Sequence, residues 1–119
     1  MVYQNHQSGN HAEALAEAFL QENGLTTREK NYAAHDIGEI DLIMQDGAYC
    51  VFIEVRARTK ADHGHPLESI SNSKQKRIVR TAKHYLMKYD LWEKIDCRFD
   101  AVGIVFGEPP IWVQNAFEC

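Results

Sequence analysis

The chain has 119 residues, 45% of them hydrophobic and 25% charged, the composition of one ordinary globular domain. Three cysteines (Cys50, Cys97 and Cys119) without a C-x-x-C spacing argue against a disulfide framework or a zinc ribbon, and Cys50, inside an apolar run, reads as a core residue. No apolar stretch approaches a membrane span and no signal-peptide pattern follows Met1, which predicts a cytoplasmic protein with no membrane partner. Net charge is −4, yet Arg56 to Lys88 holds nine basic and two acidic residues, a net +7, leaving −11 on the rest. Such asymmetry can concentrate positive potential on one face, although charge alone favours a solvated helix.

In chain order, Ala12, Leu15, Ala16, Phe19 and Leu20 recur at helical spacing, and Gly24 supplies a stop. This predicts an amphipathic helix over about Asn10 to Asn23. Leu25 to Tyr32 reads as a strand. Gly38 to Met44 and Ala48 to Arg58 are strands flanking Asp46-Gly47, a strong hairpin signal. A two-residue turn at Asp46-Gly47 pairs Gln45 with Ala48, Asp41 with Phe52 and Glu39 with Glu54. By alternation Glu39, Asp41, Phe52, Glu54 and Arg56 then share one sheet face, and Ile40, Leu42, Val51, Ile53 and Val55 share the other.

After a loop with His63, Gly64, His65 and Pro66, a long helix is predicted from about Ser73 to Tyr89. Its buried stripe is Ile78, Ala82, Tyr85, Leu86 and Tyr89, while Lys76, Arg80 and Lys83 line another face. Strands from Arg98 to Phe106 and from Ile111 to Phe117 follow. The order is α-β-β-β-α-β-β, an α/β sandwich with a mixed central sheet. Asp100 is expected to pair with Arg98 or with a basic helix residue.

Asp41 and Glu54 are the informative residues. Each interrupts a hydrophobic strand, where a carboxylate is costly unless a cation or hydrogen-bond donors compensate it. Two carboxylates suit a hard cation such as Mg²⁺, but Arg56 could equally neutralise Glu54. The histidines show no partners at zinc-ligand spacing, and no phosphate loop or nucleophile elbow is present.

Gly38-Glu39-Ile40-Asp41-Leu42-Ile43 followed by Val51-Phe52-Ile53-Glu54-Val55-Arg56-Ala57-Arg58 resembles the YraN family of small bacterial proteins. Gly9-Asn10-His11-Ala12-Glu13 is similar to that family's G-x-x-G-E opening, with Ala12 in place of the second glycine. Ser73-Lys74-Gln75-Lys76, Cys97-Arg98-Phe99-Asp100 and Asn115-Ala116-Phe117 resemble its later motifs in the same order. The resemblance implies membership of the PD-(D/E)xK nuclease superfamily, with a restriction-endonuclease-like α/β/α sandwich close to Holliday junction resolvases. It implies an Mg²⁺- or Mn²⁺-dependent endonuclease acting on DNA, branched or single-stranded, or a non-catalytic binding module on the same fold.

By the same resemblance Asp41, Glu54 and the backbone carbonyl of Val55 would be metal ligands. Glu13 would complete the site, or else serve as an ordinary first-turn acid. Arg56 takes the superfamily's lysine position, where it can neutralise phosphoryl charge but cannot act as a base. Gln75 would reach the site or act as a helix cap. Arg58, Lys74, Lys76, Arg77, Arg80 and Lys83 would contact phosphates. Related resolvases often work as dimers, so a homodimer is the implied assembly.

Overall fold

The computed structural model describes residues 2–58, 68 and 70–118, with residues 2–9 described by their backbone alone. The elements are α1 (Val2–Glu22), β1 (Thr26–Ala34), β2 (Gly38–Asp46), β3 (Tyr49–Arg58), α2 (Asn72–Lys88), β4 (Asp96–Val105) and β5 (Ile111–Val113). The predicted loop from His63 to Pro66, with Asp62 before it, and Cys119 lie outside the described residues.

The five strands form one mixed sheet in the order β1-β2-β3-β4-β5. Every neighbouring pair is antiparallel except β3 and β4, which run parallel. Parallel neighbours need a long crossover, and the segment carrying α2 is that connection. A helix covers each face. On one, Ala12, Ala16 and Leu20 of α1 pack over Leu42, Met44, Val51, Ile53, Val102 and Ile104. On the other, Ile78, Ala82, Tyr85 and Leu86 of α2 pack over Ile40, Ile43, Cys50, Phe52 and Phe99. The architecture is the expected α/β sandwich. Burial on both faces also explains why β3 is a nearly unbroken apolar run rather than an alternating one.

Helix α1 begins at Val2, earlier than the apolar periodicity locates it. Its stripe is also narrower than predicted, for Leu15 is exposed and the buried positions are Ala12, Ala16 and Leu20. At its end Gly24 takes φ +95° while the N–H groups of Gly24 and Leu25 donate to Gln21 and Leu20. That left-handed C-cap explains the stop signal. Helix α2 starts at Asn72, one residue before the predicted start, and Ser71 is its N-cap, accepting from the Lys74 N–H. Tyr89 falls outside the buried stripe, and Thr81 takes its place in the core.

The hairpin register differs from the predicted one. Asp46 pairs with Tyr49, so the turn residues are Gly47 and Ala48, and Ile43 rather than Asp41 faces Phe52. Gly47 has φ +58°, as the first position of a two-residue Gly-X turn requires. The displacement is an even number of residues, so the faces survive the shift over Leu42 to Asp46. They do not survive beyond it. Leu42 packs under α1, but Ile40, expected beside it, packs with Tyr32 under α2. The pairs Lys30–Leu42 and Tyr32–Ile40 bracket Asn31 and Asp41, and Asn31 has φ +51°. A left-handed residue reverses the alternation of its own strand, and β1 and β2 change faces together at this point of the ladder.

A second buried carboxylate organises the far edge of the sheet. Asp100 is fully buried and accepts from Arg98 through both oxygens, from Trp112 Nε1 at 2.9 Å and from the Asn115 N–H at 3.0 Å. Arg98 also reaches Asp46 at 2.9 Å. The Arg98 pairing was expected. The tie to β5 and to the segment after it was not.

Candidate carboxylate site

Where α2 starts across the sheet, a cleft of about 270 Å³ is lined by Gly38, Glu39 and Asp41 of β2, Glu54 of β3, and Lys74, Arg77 and Ile78 of α2. Gly38 permits this approach, because a Cβ there would stand 2.9 Å from the Thr81 hydroxyl oxygen. Thr81 is itself buried and donates to the Arg77 carbonyl at 2.7 Å. Sequence pattern thus places β2 and β3, and one glycine lets the helix close over them.

Glu54 is 4% exposed, and two cations compensate it: Lys74 Nζ at 2.9 Å and Arg56 Nη1 at 3.4 Å from Oε2. A buried carboxylate is tolerated only with such partners. Asp41 lines the same cleft as Glu54 and accepts from the Val55 N–H at 2.8 Å. Burial first, and then the charge of Glu54, push the Asp41 carboxyl up to about 8, against the opposing effect of Val55. The neutral form of Asp41 is therefore favoured beside a Glu54 that Lys74 and Arg56 compensate.

The expected residues divide as follows. Asp41, Glu54 and Arg56 come together, and Glu39 opens onto the same cleft. Val55 contributes its N–H to Asp41. Glu13 stands close enough to raise the Asp41 carboxyl, but it accepts from Asn31 Nδ2 at 2.8 Å and lines a neighbouring hollow with Asn10, Glu17 and Lys30. Gln75 does not line the cleft. Its amide donates to the Ile70 carbonyl at 3.1 Å, a cap-like contact at the start of α2, and it borders a separate hollow with Asn72, Lys76, Val79, Arg80 and Glu118.

Lys74 and Arg77, read from the sequence as phosphate contacts, both line the cleft, and Lys74 contacts Glu54 directly. The signal was present, since Lys74 precedes the buried Ile78 by one helical turn and must lean to the same side. Lys76, Arg80 and Lys83 are exposed along the outer face, with Lys83 Nζ 4.9 Å from the centre of the Trp92 ring. Arg58 is half-buried at the end of β3.

Among the described residues, no three His, Cys, Asp or Glu side chains converge at metal-binding spacing. The donor set here is a carboxylate pair of hard oxygens, which fits Mg²⁺ or Mn²⁺ with most of its waters retained and does not fit a softer ion. The Cys50 thiol is buried and pushed up to about 12 by that burial, consistent with a core role. No helix among the described residues is long and apolar enough to cross a membrane.

Residues 12–104 match the model of a family described as uncharacterised protein family UPF0102. A UPF0102 protein of Coxiella burnetii (strain CbuK_Q154) is 46% identical over 110 residues, covering 92% of this chain and 91% of the relative. One of Legionella pneumophila (strain Corby) is 42% identical over 113 residues, covering 94% and 95%. One of Psychromonas ingrahamii is 48% identical over 108 residues, covering 90% and 86%.

Proposed function

This chain belongs to the uncharacterised protein family UPF0102, the YraN-like family, and we propose that within it the protein is a cytoplasmic, Mg²⁺-dependent endonuclease of the PD-(D/E)xK type that hydrolyses phosphodiester bonds in DNA. The observation that carries the reading is the pair of carboxyl groups of Asp41 and Glu54 lining one cleft whose helical wall is cationic. A paired, desolvated carboxylate site beside Lys74, Arg77 and the exposed Lys76, Arg80 and Lys83 suits a substrate that is itself an anion. The carboxylates would hold the cation, and the basic helix would hold the phosphates on either side of the bond to be cut.

Asp41 and Glu54 would hold one Mg²⁺ or Mn²⁺ between them, with the Val55 carbonyl as the ligand implied by the resemblance. Bound there, the ion would polarise the scissile phosphate and lower the pKa of an attacking water. Arg56 and Arg77 would neutralise charge growing on the phosphoryl oxygens, a task suited to a guanidinium that stays protonated. Glu13, held by Asn31, would add negative charge beside Asp41 and so strengthen its hold on a cation. Outer-face contacts to phosphates carry no sequence information, so the substrate would be selected by shape, branched or single-stranded, and a homodimer would match a two-fold one.

A second reading has its own support. Lys74 and Arg56 already neutralise Glu54, as the counter-ions of a non-catalytic DNA-binding module would. A cleavage screen of single-stranded, duplex, flap and four-way DNA with Mg²⁺, Mn²⁺ or EDTA separates the two. The enzyme reading expects ion-dependent products on at least one substrate. Binding without products on all four would favour the module.

A further inference from the structure

Lys74 stands where a lysine is poorly placed. It is the third residue after the Ser71 N-cap, in the first turn of α2, which contains no acidic residue. The positive end of a helix macrodipole disfavours a cation there. What offsets this is Glu54, whose Oε2 lies 2.9 Å from the ammonium. The lysine side chain keeps 34% of its surface exposed while its partner keeps 4%. The pair therefore joins a fixed, buried anion to a cation on a flexible, solvent-reaching stem. Arg56 approaches the same oxygen from the strand at 3.4 Å, and its planar fork is bound to β3 two residues away.

Resting on the ion seat proposed above, we infer that Lys74 is the internal cation of the carboxylate pair: it neutralises Glu54, the carboxylate a divalent ion would also depend on, so that ion binding and the Lys74–Glu54 contact compete with each other. The ammonium, released from Glu54, stays inside the cleft beside Arg77, where it faces an anionic substrate. Lys74 then has two opposed effects. It weakens divalent binding in the free protein, and it supplies positive charge toward the phosphate once the ion is seated. A lysine suits this exchange, being a compact, strongly hydrated charge with rotatable donors. Lys74 is thus a positioning residue for the metal-free carboxylates.

The test is calorimetric titration of the intact chain with Mn²⁺ at fixed ionic strength, for the wild type, Lys74→Met and Lys74→Arg. Removing one positive charge beside a dication should tighten Mn²⁺ binding by about tenfold in Lys74→Met. Lys74→Arg should stay within about threefold of the wild type, because the charge remains. A purely structural lysine would instead leave affinity unchanged or weaken it. A second measurement needs no variant: the Lys74 Nζ resonance of lysine-labelled protein should move toward that of a solvated ammonium as Mg²⁺ saturates the site. Wild type that binds Mn²⁺ together with a Lys74→Met protein that binds it no tighter, or a Lys74 signal unmoved at saturation, would overturn this inference alone. Wild type with no Mn²⁺ or Mg²⁺ binding at all would overturn the ion seat and the inference with it.

Discussion

The backbone N–H of Val55 donates to Oδ2 of Asp41 at 2.8 Å, just past Leu42 and Ile53, the last pair of the ladder between β2 and β3. A side chain takes over where the strand ladder ends, and it anchors a carboxyl group that burial and Glu54 both drive toward its neutral form. This has a pH consequence. A carboxyl raised in the folded state to about 8 from an ordinary 3.8 binds more protons folded than unfolded between those values. Its contribution is fully present below the unfolded value and is lost as pH rises through the folded one. In EDTA, urea denaturation should therefore show stability declining from about pH 4 toward pH 8, and Asp41→Asn should flatten that decline. Asp41→Asn with the wild-type pH dependence would remove Asp41 as its source.

Asp100 makes the opposite kind of site, a buried carboxylate with a full set of donors. Asp100→Ala leaves Arg98, 11% exposed, with Asp46 as its acidic partner among the described residues, and leaves the Trp112 and Asn115 N–H groups without this acceptor. Breaking a buried pair this way costs about 3–5 kcal/mol. Chemical denaturation should register that loss. A cost below about 1 kcal/mol, the scale of an exposed pair, would mean that the network is not what ties β5 to β4.

The outer face of α2 is open to a charge-reversal test. Replacing Lys76, Arg80 and Lys83 by glutamate should weaken DNA binding to a similar extent for all sequences and lower the slope of log affinity against log salt by roughly 0.7–0.9 per lost contact. The three side chains are exposed and opposite the buried stripe, so the melting temperature should barely move. An unchanged slope in the triple variant would mark this face as a solvated surface and leave any DNA contact to Lys74 and Arg77 in the cleft.

Periodicity and turn chemistry made most of this fold legible, because they report local physics. Ala12, Ala16 and Leu20 mark α1, Asp46-Gly47 marks the hairpin, and Ile78 to Leu86 mark α2. What escaped were features set by backbone geometry at single residues. Which two residues form the hairpin turn depends on where the left-handed conformation falls, and it falls at Gly47 followed by Ala48 rather than at Asp46 followed by Gly47. The reversal of alternation at Asp41 lies beside the left-handed Asn31 of β1 and has no local signature in β2. In the site, Asp41 and Glu54 stand out because charge inside an apolar strand is conspicuous. Lys74 stands out less: its spacing from Ile78 gives the side of the helix it leans to, but its contact with Glu54 has no sequence signature.

Single-turnover cleavage of a DNA substrate found in the screen, run with Mg²⁺ for the wild type, Asp41→Asn and Glu54→Gln, tests the central claim that this carboxylate pair is a chemical centre. Both substitutions keep the shape of the side chain and remove one charged oxygen ligand. The account predicts ion-dependent cleavage by the wild type and a loss of at least about 10²–10³ in rate for each variant, the scale of removing one preorganised charge-stabilising group, with DNA affinity nearly unchanged. Variants that cleave at the wild-type rate, or a wild type that binds each DNA yet cuts none with Mg²⁺ or Mn²⁺, would contradict it.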